Sequence, residues 1–238
     1  MKQTVIGLGL AFSLLTAGYA VAQNQGGTIV RPPMLFHEGF SDGFNEDPVT
    51  QKSLETKDLR IATYGPGKDL WSKTWHPKAP MVGSFMWTGA CTQVCGMTLA
   101  YPDSYMDLRG WSKITWRTAE TGLHQLRLLI KTADGKLLIS DQYVGSTSDW
   151  QVSDLVIGDL RWRELDVKNL NDLNPPGNTQ FLPQPDLSRV AEIGFTDLMP
   201  GSGHGVQAGS SRVDWIEVYG NKVSKKTADA AAKPANGG

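Results

Sequence analysis

The stretch Gln125-Leu-Arg-Leu-Leu-Ile-Lys-Thr132, followed by Ala133-Asp134-Gly135 and then Lys136-Leu-Leu-Ile-Ser-Asp141, decides the fold class. Two apolar runs flank an Asp-Gly pair, which favours the positive φ that a tight hairpin turn needs. Successive side chains of an extended chain point to opposite faces. Leu126, Leu128 and Ile130 therefore share one face, and Gln125, Arg127, Leu129 and Lys131 share the other. The pattern predicts an antiparallel hairpin with one strongly apolar side.

The same period of two recurs upstream at 113–118, where Ile114 and Trp116 alternate with Lys113, Thr115 and Arg117. Further strand-like runs fall at 34–40, 59–64, 83–87, 97–101, 163–167, 192–196 and 212–219, separated by Gly, Pro, Asp and Ser. Gly194 interrupts one of them and lowers its expected regularity. Pro175-Pro176-Gly177 marks a long loop over 169–186. No long amphipathic helix breaks the series. The expectation is an all-β chain folded as a single antiparallel β-sandwich or jelly roll over residues 34–220.

The ends read differently. Lys2, an apolar run over 5–17 and Ala20-Val21-Ala22 have the layout of a secretory signal peptide cleaved after residue 22. The run is too short to span a membrane, which takes about 20 apolar residues, and no later segment is long enough. Residues 23–33 read as a flexible lead-in. The Lys-Ala-rich residues 221–238 lack apolar periodicity and read as a disordered tail. A periplasmic or secreted protein is expected. Removing Lys2 takes the formal net charge from -1 to -2. That charge leaves no basic footprint for nucleic acid.

Cys91 and Cys95 are the only cysteines. In an oxidising compartment they are expected to form a structural disulfide. A metal pair would need further Cys or His ligands nearby, and a redox pair would be spaced C-x-x-C.

Phosphate-loop, G-x-S-x-G and H-E-x-x-H motifs are absent from the sequence. Asp214 and Glu217 lie three apart, so on a regular strand they face opposite ways and make a poor acid–nucleophile pair unless a bulge intervenes. Eight Trp lie between positions 71 and 215. Flat rings and planar polar groups suit the CH-rich faces and hydroxyls of sugars. Trp116, Arg127, Lys131, Trp162 and Trp215 are the candidates to line such a face, against the alternative that each Trp packs in the core. His204, in Gly201-Ser-Gly-His-Gly205, with Asp197 and Arg212 nearby in sequence, forms a trio of potential acid–base or contact residues. His124 reads as a strand-end residue.

Ser211-Arg-Val-Asp-Trp-Ile-Glu-Val-Tyr-Gly220 resembles the closing strand of galactose-binding-like β-sandwich domains, a group that includes many carbohydrate-binding modules. Leu35-Phe-His-Glu-Gly-Phe40 resembles their first strand. Asp107-Leu-Arg-Gly110 with Lys113-Ile-Thr-Trp116 resembles a strand entry. The resemblance implies a jelly roll, a saccharide or glycoside ligand and often a structural calcium, held here by Glu38 and Asp214. The cysteine loop and the 169–186 loop depart from a minimal module. The leading expectation is therefore a saccharide-binding protein using Trp116, Arg127, Lys131, Trp162, Arg212 and Trp215. Its alternative is a glycoside hydrolase or lyase using His204 and Asp197. A third reading is an envelope domain whose partner is another protein. Nothing in the sequence specifies an oligomeric state.

Overall fold

The computed structural model describes residues 31–78, 83–173, 180–200 and 209–232. The expected signal peptide over 1–22, His204 and the expected Pro175-Pro176-Gly177 turn lie outside the described residues.

Among these residues the chain forms fourteen strands, three single-turn 3-10 helices and one short α-helix. In order they are β1 (Met34–Glu38), β2 (Arg60–Tyr64), β3 (Ser72–His76), β4 (Gly83–Trp87), β5 (Cys95–Ala100), β6 (Ser104–Asp107) and β7 (Lys113–Glu120). They continue with β8 (Leu126–Thr132), β9 (Leu137–Val144), β10 (Gln151–Val156), β11 (Trp162–Leu165), β12 (Val190–Asp197), β13 (Ser211–Tyr219) and β14 (Asn221–Ser224), and end with α1 (Lys225–Ala232). Two antiparallel sheets result. One runs β10-β7-β13-β4-β3, with β1 also on β13. The other runs β11-β9-β8-β12-β5-β2, with β6 on β12 and β14 on β6.

The hairpin forms as its sequence requires. The Gly135 N–H donates to Thr132 O at 2.9 Å and the Thr132 N–H to Lys136 O at 3.0 Å, with Gly135 at φ +89. Only glycine holds that conformation without strain. β9 runs on to Val144, beyond the expected end at Asp141, because its far end still has Arg127 and Leu126 to pair with.

The core lies between the sheets. Leu126, Leu128 and Ile130 of β8 meet Ile114 and Trp116 of β7, Ile193 and Phe195 of β12, and Ile216 and Val218 of β13 in one apolar cluster. Cys91 and Cys95 join it as a disulfide with Cα atoms 6.3 Å apart. Gly194 is a close-approach position: a Cβ there would stand 2.0 Å from Met97 O of the neighbouring strand.

Two expectations need correction. Of the expected disordered tail, the described residues 221–232 form β14 and α1. Asn221–Ser224 pairs with β6, and the Lys225 Nζ donates to Tyr101 O at 3.1 Å and Pro102 O at 2.9 Å. Lys222 lies over the Tyr101 ring, 3.6 Å from its centroid. A Lys-rich segment lacks apolar periodicity because its anchoring here comes from backbone pairing and cation–ring contacts. The second correction concerns β13. Val213 pairs with Thr118 but Trp215 pairs with Arg117, so Asp214 is an extra, bulged residue. A bulge breaks strict alternation, and Asp214 and Glu217 end on the same outward face.

Candidate functional site

β7 and β13 carry Ile114, Trp116, Ile216 and Val218 inward, all 0% exposed. Their intervening side chains must therefore face out. The outward face of the six-stranded sheet displays Arg117 on β7 and Asp214, Trp215 and Glu217 on β13. His37 comes from β1 and Trp150 from the turn before β10. Arg117 Nη1 is ion-paired with Asp214 Oδ2, and its guanidinium carbon lies 5.0 Å from the Trp150 ring centroid. Trp150 meets Phe85 edge-on at 5.6 Å, and Phe85 stacks on His76 at 5.6 Å. On the other flank the His37 and Trp215 rings are 5.7 Å apart. His37 Nδ1 lies 3.3 Å from Glu217 Oε1, and the Tyr219 hydroxyl donates to Glu217 Oε2 at 2.7 Å. That bond to Glu217 pushes the Tyr219 hydroxyl pKa up. Below them the Thr115 hydroxyl and Lys113 both donate to Asp154, at 2.5 and 3.0 Å, and hold its carboxyl below the usual range. Two indoles thus flank an Arg–Asp pair, with a second carboxylate and an imidazole beside them. Rings alternate with planar hydrogen-bonding groups across one sheet face.

Arg127 and Lys131 lie on the outward face of the other sheet, and their polar atoms are already engaged. Lys131 Nζ donates to the Tyr64 hydroxyl and to Glu192 Oε1, each at 3.2 Å. The Tyr64 and Thr98 hydroxyls both donate to Glu192 Oε2 at 2.5 Å. Burial first, then the bond to Glu192, raises the Tyr64 pKa. Arg127 donates to Ser140 O and Asp141 O at 3.1 and 2.7 Å and lies over the Tyr143 ring at 4.7 Å. The apolar part of this face is covered by the chain itself. Leu129, Leu137, Ile139 and Leu165 pack with Leu170, and every one of the five is at most 2% exposed. Leu170 reaches over them at φ +52. That conformation costs a non-glycine residue about 1–2 kcal/mol, which burial of a leucine side chain offsets.

The Trp116 and Trp162 side chains are 0% and 1% exposed in the core, so neither stacks on a ligand. Trp116 points inward because it is in step with Ile114. Asp197 is buried as well. Its Oδ2 accepts from the Ser211 hydroxyl at 2.8 Å and lies 2.5 Å from His124 Nδ1, while Oδ1 accepts from the Met199 N–H at 2.9 Å. An acid so enclosed does not meet substrate. The Arg212 charge acts on Glu120, and His204, the third member of the expected trio, lies outside the described residues. Glu120 is fully buried beside this group. Burial, and secondarily the Asp197 charge, lift its carboxyl to about 8 against the partial relief of a Thr118 hydrogen bond.

Glu38 and Asp214 do not converge. Glu38 pairs with inward-facing Ile216, and its buried carboxylate accepts the N–H groups of Phe40, Glu55 and Thr56 at 2.7–2.9 Å. Asp214 faces outward onto Arg117. Among the described residues no group of three or more His, Cys, Asp or Glu side chains is placed to hold a metal ion.

Trp150, Arg117, Glu217 and His37 were not singled out as site residues by sequence. Arg117 was legible, since it alternates with Trp116. Trp150 precedes its strand and carries no periodic signal.

No family model matches the chain, and no curated protein matches it. Among solved structures it is similar to the family 11 carbohydrate-binding module of cellulosomal cellulase Lic26A-Cel5E of Clostridium thermocellum. The identity is 19%, the TM-score 0.45, and the match covers 81% of this chain and 96% of that one. A family 11 module from the same organism, in complex with a β-1,3-1,4-mixed-linked tetrasaccharide, matches at 19% identity and TM-score 0.42, over 77% and 96% of the two chains. An exo-β-agarase matches at 11% identity and TM-score 0.36, over 73% of this chain and 24% of that one.

Proposed function

We propose that this chain is an exported saccharide-binding β-sandwich that holds its ligand on the outward face of the six-stranded sheet. The observation that carries the reading is the row Trp150–Arg117–Asp214–Trp215, with Glu217 and His37 beside it. A sugar ring laid on an indole buries its CH face, while the neighbouring carboxylates accept its hydroxyl protons and the guanidinium donates to its oxygens. All six residues except His37 and the turn residue Trp150 stand on the two paired strands β7 and β13, a rigid support that limits the ordering cost of binding. The layout of residues 1–22 supports export. Asp197, hydrogen-bonded and enclosed, supports binding over hydrolysis.

The test is affinity electrophoresis and calorimetry of the mature protein against soluble neutral β-glucans and galactans. Retention on at least one is expected. Trp215→Ala and Trp150→Ala should each weaken it about tenfold, or roughly 1.4 kcal/mol, with the circular dichroism spectrum unchanged. A folded protein that no glycan retards, or a Trp215→Ala variant that binds as the parent does, would refute the assignment. Sequencing the N-terminus of the protein from fractionated cells tests export, with Gln23 expected first.

A further inference from the structure

A groove of about 470 Å³ lies apart from the platform. Its walls are the Arg109-Gly110 turn, Gly158, Arg161 and the segment Leu182–Ser188, and the nearly buried Leu160 and Trp162 lie at its base. That volume lies within the range of small-ligand sites, and no residue of the platform lines it.

Its charge pattern is specific. The Arg109 and Arg161 side chains are each 66% exposed, yet each is braced by a carboxylate. Asp107 accepts from Arg109 Nε and Nη2 at 2.8 and 2.6 Å. Asp141 accepts from the Arg161 N–H and Nε at 2.9 and 2.8 Å, and the Arg161 guanidinium lies over the Phe181 ring at 4.2 Å. Arg109 Nη1 and both Nη atoms of Arg161 have no hydrogen-bond partner among the described residues. These donors face solvent on side chains that their carboxylate partners hold in place. The lining holds one carboxylate, Asp186, and Ser188 and Arg189 occupy its oxygens.

We propose that this groove is a second saccharide site, selective for an acidic sugar, in which Arg161 and Arg109 take the carboxylate of a uronate. The ring then lies over Leu160 and against Pro183. Guanidinium–carboxylate pairs are directional and charge-assisted. A neutral sugar leaves those donors unused. The assignment shares its ligand class with the platform reading but none of its residues.

Trigalacturonate and its fully methyl-esterified form, titrated into the mature protein by calorimetry, test it. The acid should bind at least tenfold more tightly than the ester, and its affinity should fall as salt rises. Arg161→Ala and Arg109→Ala should each cost about tenfold, roughly 1.4 kcal/mol, and Arg161→Lys should recover part. Trp215→Ala should leave trigalacturonate binding within about twofold. Equal affinity for acid and ester, no binding of the acid, or indifference to both arginine changes would overturn the proposal. Loss of trigalacturonate binding in Trp215→Ala alone would overturn it too, by moving the acid to the platform. Failure of neutral glycans to bind, with the arginine effects intact, would sink the platform reading and leave the groove standing.

Discussion

Replacing Glu120 by Gln should abolish most of the stability loss that the protein undergoes between pH 5 and 8. The carboxyl is fully buried, and its Oε1 has no hydrogen-bond partner among the described residues. Its pKa rises from 4.5 to about 8, chiefly through burial and secondarily through the Asp197 charge. Below pH 4.5 the group is protonated in both folded and unfolded chains and makes no difference. Above it the unfolded chain releases a proton that the folded chain keeps, so stability falls with rising pH until the folded group ionises near pH 8. The slope is about 1.4 kcal/mol per pH unit. The loss is therefore roughly 3 kcal/mol by pH 7 and on the order of 5 kcal/mol by pH 8.5. Glutamine has the same shape and nothing to ionise. Urea unfolding at a series of pH values is the assay. Parent and Glu120→Gln should agree within about 1 kcal/mol at pH 4.5 and diverge steadily, with the variant the more stable. Two curves that run parallel from pH 4.5 to 8.5 would refute the reasoning.

Other changes have independent outcomes. Glu38→Ala strips the acceptor from three backbone N–H groups, those of Phe40, Glu55 and Thr56. It should cost about 3 kcal/mol or more, read as a lower urea midpoint with m unchanged. Replacing Cys91 and Cys95 together by Ala opens only the short loop that their separation of 4 closes. The loss should be about 2 kcal/mol by loop entropy, measured by thermal unfolding, with saccharide binding retained.

Much of the fold was legible locally. The Asp134-Gly135 turn and the alternation in β7 and β8 assign side chains to faces wherever those strands end up, because the period of two belongs to the extended backbone. That alternation also placed Trp116 beside Ile114 on the apolar side, a signal that outranks the general suitability of Trp for sugars. Other features had no local trace. β14 depends on an edge supplied by β6, distant in the chain. The end of β9 depends on how far β8 extends beside it.

The amino-acid sequence by itself determined that this chain is all-β, where its central hairpin turns and which side of that hairpin is apolar. These follow from the φ preferences of Gly and from side-chain alternation. Only the tertiary structure decided which aromatic rings remain available to a ligand. A Trp is equally suited to a core and to a binding face, and its fate depends on the second sheet. The same holds for the acids. One bulge, set by the pairing of β13 with β7, turned Asp214 outward to join Trp215 and Glu217, while packing enclosed Asp197 and Glu120.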